Sequence, residues 1–201
     1  MAWILASKLE MTRVVKEKGF VPVTLLKIPT LKVVAVKTKE TDGYNSLVLG
    51  VLKDWMQWVL KGWRKTLSFS EFSKIREILL NDDEVSKFNV WDDVTIDNLD
   101  GVEKVELTSF SKWKWFTWAM KRHNFSWGHA THGSKFHRAL WSIGNRKPRR
   151  THKNKKMHGH HWNFKINLKN VPVEILNKEL SVFGVRWPVP GARNSLVIVK
   201  F

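Results

Sequence analysis

The side chains with chemistry to offer are concentrated in one quarter of the chain, and they are cations. Between Ser111 and His160 stand thirteen lysines and arginines and no aspartate or glutamate, together with seven of the eight histidines. The remaining residues hold 22 basic and 18 acidic side chains, so about +13 of the formal +17 charge belongs to this one segment. A block of one sign repels itself and is poor at forming a compact body alone. Phosphates neutralise it and release their counterions in doing so, which makes association favourable and strongly salt-dependent. The implied chemistry is polyanion binding, with nucleic acid as the first inference.

The candidate contact residues follow from side-chain type. Lys112, Lys114, Lys121, Arg122, Lys135, Arg138, Arg146, Lys147, Arg149, Arg150, Lys153, Lys155 and Lys156 would supply charge, and arginine can fork onto a phosphate or stack on a base. His123, His132 and His137 offer donors and flat rings, while Ser142 and Asn145 could reach ribose hydroxyls or base edges. Other chemistries are poorly supplied. The chain has no Gly-x-x-x-x-Gly-Lys run to cradle a nucleotide, no acidic pair beside the basic stretch for metal-assisted hydrolysis, and no cysteine nucleophile. Asp82-Asp83 and Asp92-Asp93 fall at apparent helix and strand edges, where turn chemistry accounts for them. His129 with His132, or His158 with His160 and His161, invite a metal reading. The stretch lacks the Cys, Asp or Glu that usually completes a zinc set, and the nearby cations would repel an ion, so neither metal nor cofactor is expected.

A framework must position this segment. With 43% hydrophobic residues in 201, the chain can bury one ordinary core. Val21 to Leu26, Leu31 to Val36 and Ser46 to Leu52 read as strands, separated by Pro29-Thr30 and Asp42-Gly43 turn signals. Ser68 and Glu71 have capping-box spacing, and Phe72, Ile75, Ile78 and Leu79 recur at helical intervals, which predicts a helix from Ser68 to Leu80, ended by Asn81-Asp82-Asp83. Strand signals return at Val90 to Ile96 and Val102 to Leu107 around an Asn98-Leu99-Asp100-Gly101 turn. From Ser111 to about His161 no period persists, a length uncommon for a structureless loop in a compact domain. Strands resume at Phe164 to Leu168, Val171 to Leu176, Leu180 to Val185 and Ser195 to Phe201, with Asn177-Lys178 and Pro188-Val189-Pro190-Gly191 as turns. The expectation is a mainly β fold: a β-barrel with a small helix-containing insertion and a long irregular basic extension. Its parts are 1–52, first part of the barrel; 53–97, helix-containing insertion; 98–110, a barrel strand; 111–161, the basic extension; and 162–201, the rest of the barrel. The opening Met1 to Ala6 lacks a basic region and Lys8 interrupts its apolar run, so no signal peptide is read, and no apolar run approaches the roughly 18 residues of a membrane span. A soluble, intracellular protein is expected.

Read as a string, the extension contains Ser111-Lys112-Trp113-Lys114-Trp115-Phe116, Lys121-Arg122-His123, Ala130-Thr131-His132-Gly133, His137-Arg138, Ser142-Ile143-Gly144 and Lys155-Lys156-Met157. This resembles the bacterial large-subunit ribosomal protein L-three family, whose extension carries Ser-Lys-Gly-Lys-Gly-Phe, Lys-Arg-His, Ala-Thr-His-Gly, His-Arg, Gly-Ser-Ile-Gly and Gly-Lys-Lys-Met in that order. The likeness reaches Leu9-Glu10-Met11-Thr12-Arg13 near the amino end, Asp42-Gly43-Tyr44, and Val189-Pro190-Gly191 before the last strand, and is weak over 53–97. It implies a translation-protein-type barrel on the large-subunit surface, with the extension inserted into ribosomal RNA toward the peptidyl transferase centre. It also implies binding near the three-prime end of that RNA, a part in starting subunit assembly, contacts with other large-subunit proteins, a cytoplasmic ribosome-bound location, and neither membrane nor homo-oligomer. The role would be architectural, not enzymatic. His160 aligns with a glutamine that is methylated in some members, so that modification should be absent.

The departures from the pattern are informative. Trp3, Trp113, Trp115, Trp118, Trp127, Trp141, Trp162 and Trp187 fall where the resembled pattern has glycine, and Gly→Trp is among the least tolerated exchanges. One cause would cover all eight: UGA codons that the organism decodes as glycine and a tryptophan-reading convention renders as Trp. The alternative is that the indoles are real and stack on bases. Glu10, Asn124, Arg149 and Asn154 also replace glycine, and His129 and Leu140 replace proline, without sharing that cause. Two rival functions remain at this point. A freestanding β-barrel nucleic-acid-binding protein would place aromatic platforms on the barrel face. A metal-dependent nuclease would need carboxylates near His158 to His161.

Overall fold

The computed structural model describes residues 3–17, 19–53, 69–85 and 87–201. Two compact units result, one built from residues 1–110 and 165–201, the other from Ser111–Phe164. Among the described residues the first holds all but two of the strands, in two sheets.

Six strands pair antiparallel in a ring: β1 (Trp3–Lys16), β2 (Gly19–Lys27), β7 (Lys104–Phe110), β10 (Lys165–Asn177), β11 (Val182–Arg186) and β12 (Leu196–Lys200). Their order is β1-β12-β7-β10-β11-β2 and back to β1, a closed barrel without free edges. Alternation fills its interior. Ile4 and Ala6 lie opposite Val199 and Val197, Val199 lies opposite Leu107, and Leu26 lies opposite Phe183, all of them buried. Bulges between Lys8 and Met11 in β1 and between Leu168 and Val171 in β10 let these long strands bend around the ring.

The turn before β12 is held by polar groups from the barrel strands. The Thr24 hydroxyl donates to the Trp187 carbonyl at 2.7 Å, Lys8 Nζ to the Val189 carbonyl at 2.6 Å, and the Ser109 hydroxyl to the Pro190 carbonyl at 3.0 Å. Thr24 and Ser109 are buried, so these bonds satisfy groups that would otherwise be costly to enclose. Gly191 has a φ of +105°, and a Cβ there would lie 2.6 Å from Ser195 Oγ and 3.1 Å from the Phe110 carbonyl oxygen. Only glycine fits both demands.

The second sheet has the order β5-β4-β3-β6, from β3 (Leu31–Lys37), β4 (Ser46–Leu52), β5 (Phe72–Leu79) and β6 (Asp93–Val94). Every residue of β4 is buried, and Leu31, Val33, Leu47, Leu49, Val51 and Ile78 join the barrel side chains in one core. At its margin, Glu77 Oε1 accepts from the Ser46 hydroxyl at 2.7 Å, the Tyr44 hydroxyl at 2.8 Å and Lys37 Nζ at 3.1 Å. Those bonds, Ser46's first, hold the Glu77 carboxyl down at about 2.

Two sequence expectations fail here. Residues 72–79 of the predicted helix form β5, preceded by a single 3-10 turn at Phe69–Glu71; Ser68 lies outside the described residues. Pairing with β4 satisfies a backbone that the fully buried strand needs on both edges. A register shift at Val51/Leu52 then puts Phe72 and Ile75, three apart, against the same cluster of Val34, Val48 and Leu52. An irregular strand thus imitates helical spacing. The predicted strand from Val90 to Ile96 shrinks to β6, followed by a 3-10 turn at Ile96–Leu99 whose Ile96 and Leu99 enter the core. Among the described residues the helices of this unit are single turns, α1 (Lys39–Asp42) and α2 (Asp82–Val85). β1 has no counterpart among the sequence expectations, because its outer half is exposed and mixes apolar Met11 and Val15 with polar neighbours, without a buried face.

Candidate nucleic-acid interface

The second unit is built from the root upward. At its base the Ser111 amide donates to the Phe164 carbonyl at 2.9 Å, and the Phe164 amide to Ser111 Oγ at 3.0 Å. A two-stranded ladder follows, β8 (Phe116–Thr117) against β9 (Gly159–His160), flanked by bonds from the Lys114 amide to the His161 carbonyl and from the His161 amide to the Trp115 carbonyl. A short helix, α3 (Ala119–His123), continues from β8 and ends at Asn124, whose φ is 57°. The irregular part of the segment therefore begins after a small ordered stem that the sequence does not reveal. Its two-residue strands are too short for any period to register.

Arg122 and His123 pin this stem from inside. Arg122 Nη1 donates to the Met157 carbonyl at 2.8 Å, and His123 Nε2 lies 3.0 Å from the same oxygen. Both are half-buried, in contrast to most of the other predicted contact residues. His161 is half-buried beside Thr117 Oγ1, at 3.2 Å. Burial pushes its imidazole below the ordinary histidine value, and Lys114, Arg122, Lys121 and His123 push it further in the same direction. His161, Thr117 and Met157 are thus positioning residues that sequence reasoning does not select. Backbone-mediated roles such as Met157's leave no mark on side-chain type.

Beyond the stem the chain closes on itself by single contacts. The Gly128 amide donates to the His137 carbonyl at 3.0 Å, and His137 Nδ1 lies 2.9 Å from the His129 carbonyl. A Cβ on Gly128 would sit 1.7 Å from the Phe136 carbonyl oxygen, so the two backbones approach as closely as they do only because this residue is glycine. The Ser142 hydroxyl donates to the Gly144 carbonyl. Asn124 and Asn154 both have left-handed φ, 57° and 61°, which explains why asparagine replaces the glycine of the resembled pattern at these positions. Nothing in the structure explains Glu10 or Arg149.

The cations are displayed and unpaired. Lys112, Lys114, Lys121, Lys135, Arg138, Arg146, Lys147, Arg149, Arg150, Lys153, Lys155 and Lys156 all reach solvent, as do His132, Ser142 and Asn145. None of the ion pairs among the described residues includes a residue of this unit. Its only buried residues are Thr117 and Ala119. A unit of this length with so little interior draws little stability from apolar burial.

Its exposed surface also carries aromatic rings. Trp113 and Trp162 stack with centroids 4.3 Å apart, and the Arg138 guanidinium lies 4.9 Å above Trp127. These indoles stand on the extension and not on the barrel face, contrary to what a freestanding single-strand binder would require. Among the described residues no three metal-ligating side chains come together, and no helix is long and apolar enough to cross a membrane.

No protein-family model matches the chain. Comparison with curated proteins finds full-length relatives. The chain is 34% identical over 204 residues to the large ribosomal subunit protein uL3 of Fervidobacterium nodosum, covering all of this chain and 98% of that one. It is 36% identical over 202 residues to uL3 of Thermosipho melanesiensis, with the same coverage. To uL3 of Geobacter sulfurreducens it is 35% identical, with 98% and 95% covered. With its acid-free cationic segment and mainly β remainder matched end to end by these relatives, the chain belongs to the large ribosomal subunit protein uL3 family.

Proposed function

We propose that the protein binds large-subunit ribosomal RNA near its three-prime end, helps to start assembly of the subunit, and shapes the peptidyl transferase region without performing chemistry. In this reading the barrel is of the translation-protein type and rests on the subunit surface. The extension lodges among RNA helices, with neighbouring large-subunit proteins as further partners and the cytoplasmic ribosome as its location. The RNA performs peptide-bond formation; the protein holds the RNA in shape.

One observation carries this reading: residues 111–164 display their cations to solvent with no acidic partner and almost no interior of their own. Crowded phosphates supply the missing counter-charge, and open backbone at Gly133 and Gly144 allows close approach to ribose and phosphate. The test is sedimentation of the native protein through a density gradient. Migration with large subunits at moderate salt, and release only at high salt, is the expected result. A protein that stays at the top of the gradient and binds short single strands instead would be a freestanding binder.

A further inference from the structure

The tryptophans among the described residues, nine of the twelve, lie outside the buried core, most of them on the surface. Six are 54–82% exposed, although tryptophan contributes most when its large surface is enclosed. The chain has twelve tryptophans against a single tyrosine, an imbalance that no argument from aromatic packing produces.

The backbone is more telling. Trp91, Trp115 and Trp187 have φ of 80°, 53° and 74°. For a bulky residue the left-handed region is a genuine outlier, whereas glycine enters it freely. The other non-glycine residues found there are five asparagines, one histidine and one serine, all small or polar types that tolerate it better. At each of the three tryptophans the main chain is fixed by the fold and not by the indole. The Trp91 amide donates to the Val33 carbonyl at 2.8 Å, and Val33 in turn donates to the Asp92 carbonyl. The Trp115 carbonyl accepts from the His161 amide at 3.0 Å. The Trp187 amide donates to the Pro22 carbonyl at 3.1 Å while its carbonyl accepts from buried Thr24. Sheet, stem and barrel each demand a glycine conformation at the residue in question.

Stacking on bases would explain exposed indoles on the extension. It does not explain left-handed backbone, and it cannot apply to half-buried Trp91 beside β3. Sequence reasoning singles out Trp115 and Trp187 but not Trp91, which the backbone alone adds.

We propose that Trp91, Trp115 and Trp187 are glycines in the functional protein, encoded by UGA codons that a glycine-accepting tRNA with anticodon UCA reads in the organism. UGA differs from the glycine codon GGA only in its first base, and it yields tryptophan when read by a UGA-as-tryptophan convention. The exposed tryptophans of the extension share this origin. The contacts of the extension at those positions are then made by bare backbone, not by rings. This assignment concerns residue identity and stands whether or not the ribosomal reading holds.

The experiment has two arms, codon sequencing of the gene and peptide mass spectrometry of the protein purified from its own organism. UGA at positions 91, 115 and 187, with glycine-mass peptides covering each, is the expected result. A UGG codon at any of the three, or a tryptophan-mass peptide there, overturns the proposal.

Discussion

At the scale of the residue, two positions show how environment sets behaviour. His161 lies half-buried under a ring of cations, so its imidazole titrates below the ordinary value of 6.5. The native stem therefore prefers the neutral ring, and acidification through the ordinary histidine range charges the unfolded chain first and weakens the stem. When RNA phosphates neutralise Lys114, Lys121 and their neighbours, the charge repulsion is relieved. Histidine NMR titration should then show the His161 pKa below its ordinary value of 6.5 in the free protein, and moving up on addition of an RNA fragment. Gly191 is the second position. Substitution Gly191→Ala forces a Cβ into the space of Ser195 Oγ at a φ of +105°. A loss of about 1–3 kcal/mol is expected from the backbone strain, read from urea denaturation. Both positions belong to stretches visible in the sequence, yet sequence reasoning passes over the part His161 plays in the stem, because its importance rests on what surrounds it.

At the scale of the element, the β4–β5 edge carries a pH dependence. The Glu77 carboxyl is held at about 2 by Ser46, Tyr44 and Lys37, below its ordinary value of 4.5. A depressed acid contributes stability above its unfolded value and loses it as pH falls through the folded one. Thermal melts of the native protein and of Glu77→Gln should therefore differ most at neutral pH and converge as pH drops from about 4.5 toward about 2. In the barrel, Leu107 is fully enclosed between Val199 and Leu168, its partners on either side. Leu107→Ala should cost about 2–5 kcal/mol in chemical denaturation, with the cavity deciding where in that range it falls. The strands flanked by clear turns, such as β2, β3 and β4, are legible as alternating or continuous apolar runs. β5 is not, because a register shift against β4 gives it a three-residue spacing. β10 reads as two strands because its bulge at Leu168/Val171 interrupts the pattern without ending the pairing.

At the scale of the whole molecule, charge is divided between the two units: one holds every acid and pairs many of them, the other holds none. Substituting Arg146, Lys147, Arg149 and Arg150 together by glutamine removes four exposed cations that make no ion pair. Each phosphate that goes without its cation lowers the salt slope of binding by about 0.7, so the quadruple variant should bind ribosomal RNA with a slope smaller by about 3 in a filter-binding titration. Unchanged melting would show that these residues act on RNA and not on the fold. The sequence by itself determined this division of charge, the mainly β character, the long aperiodic segment and the family. Net charge, β-branched runs and motif order are properties of the string and survive without coordinates. Only the tertiary structure decided that residues 72–79 are a strand, that Arg122 and His123 turn inward onto Met157, and that Trp91, Trp115 and Trp187 are held in a left-handed conformation. Each of these depends on which distant backbone stands opposite, and hydrogen bonds between remote segments override the local preferences that a sequence can express.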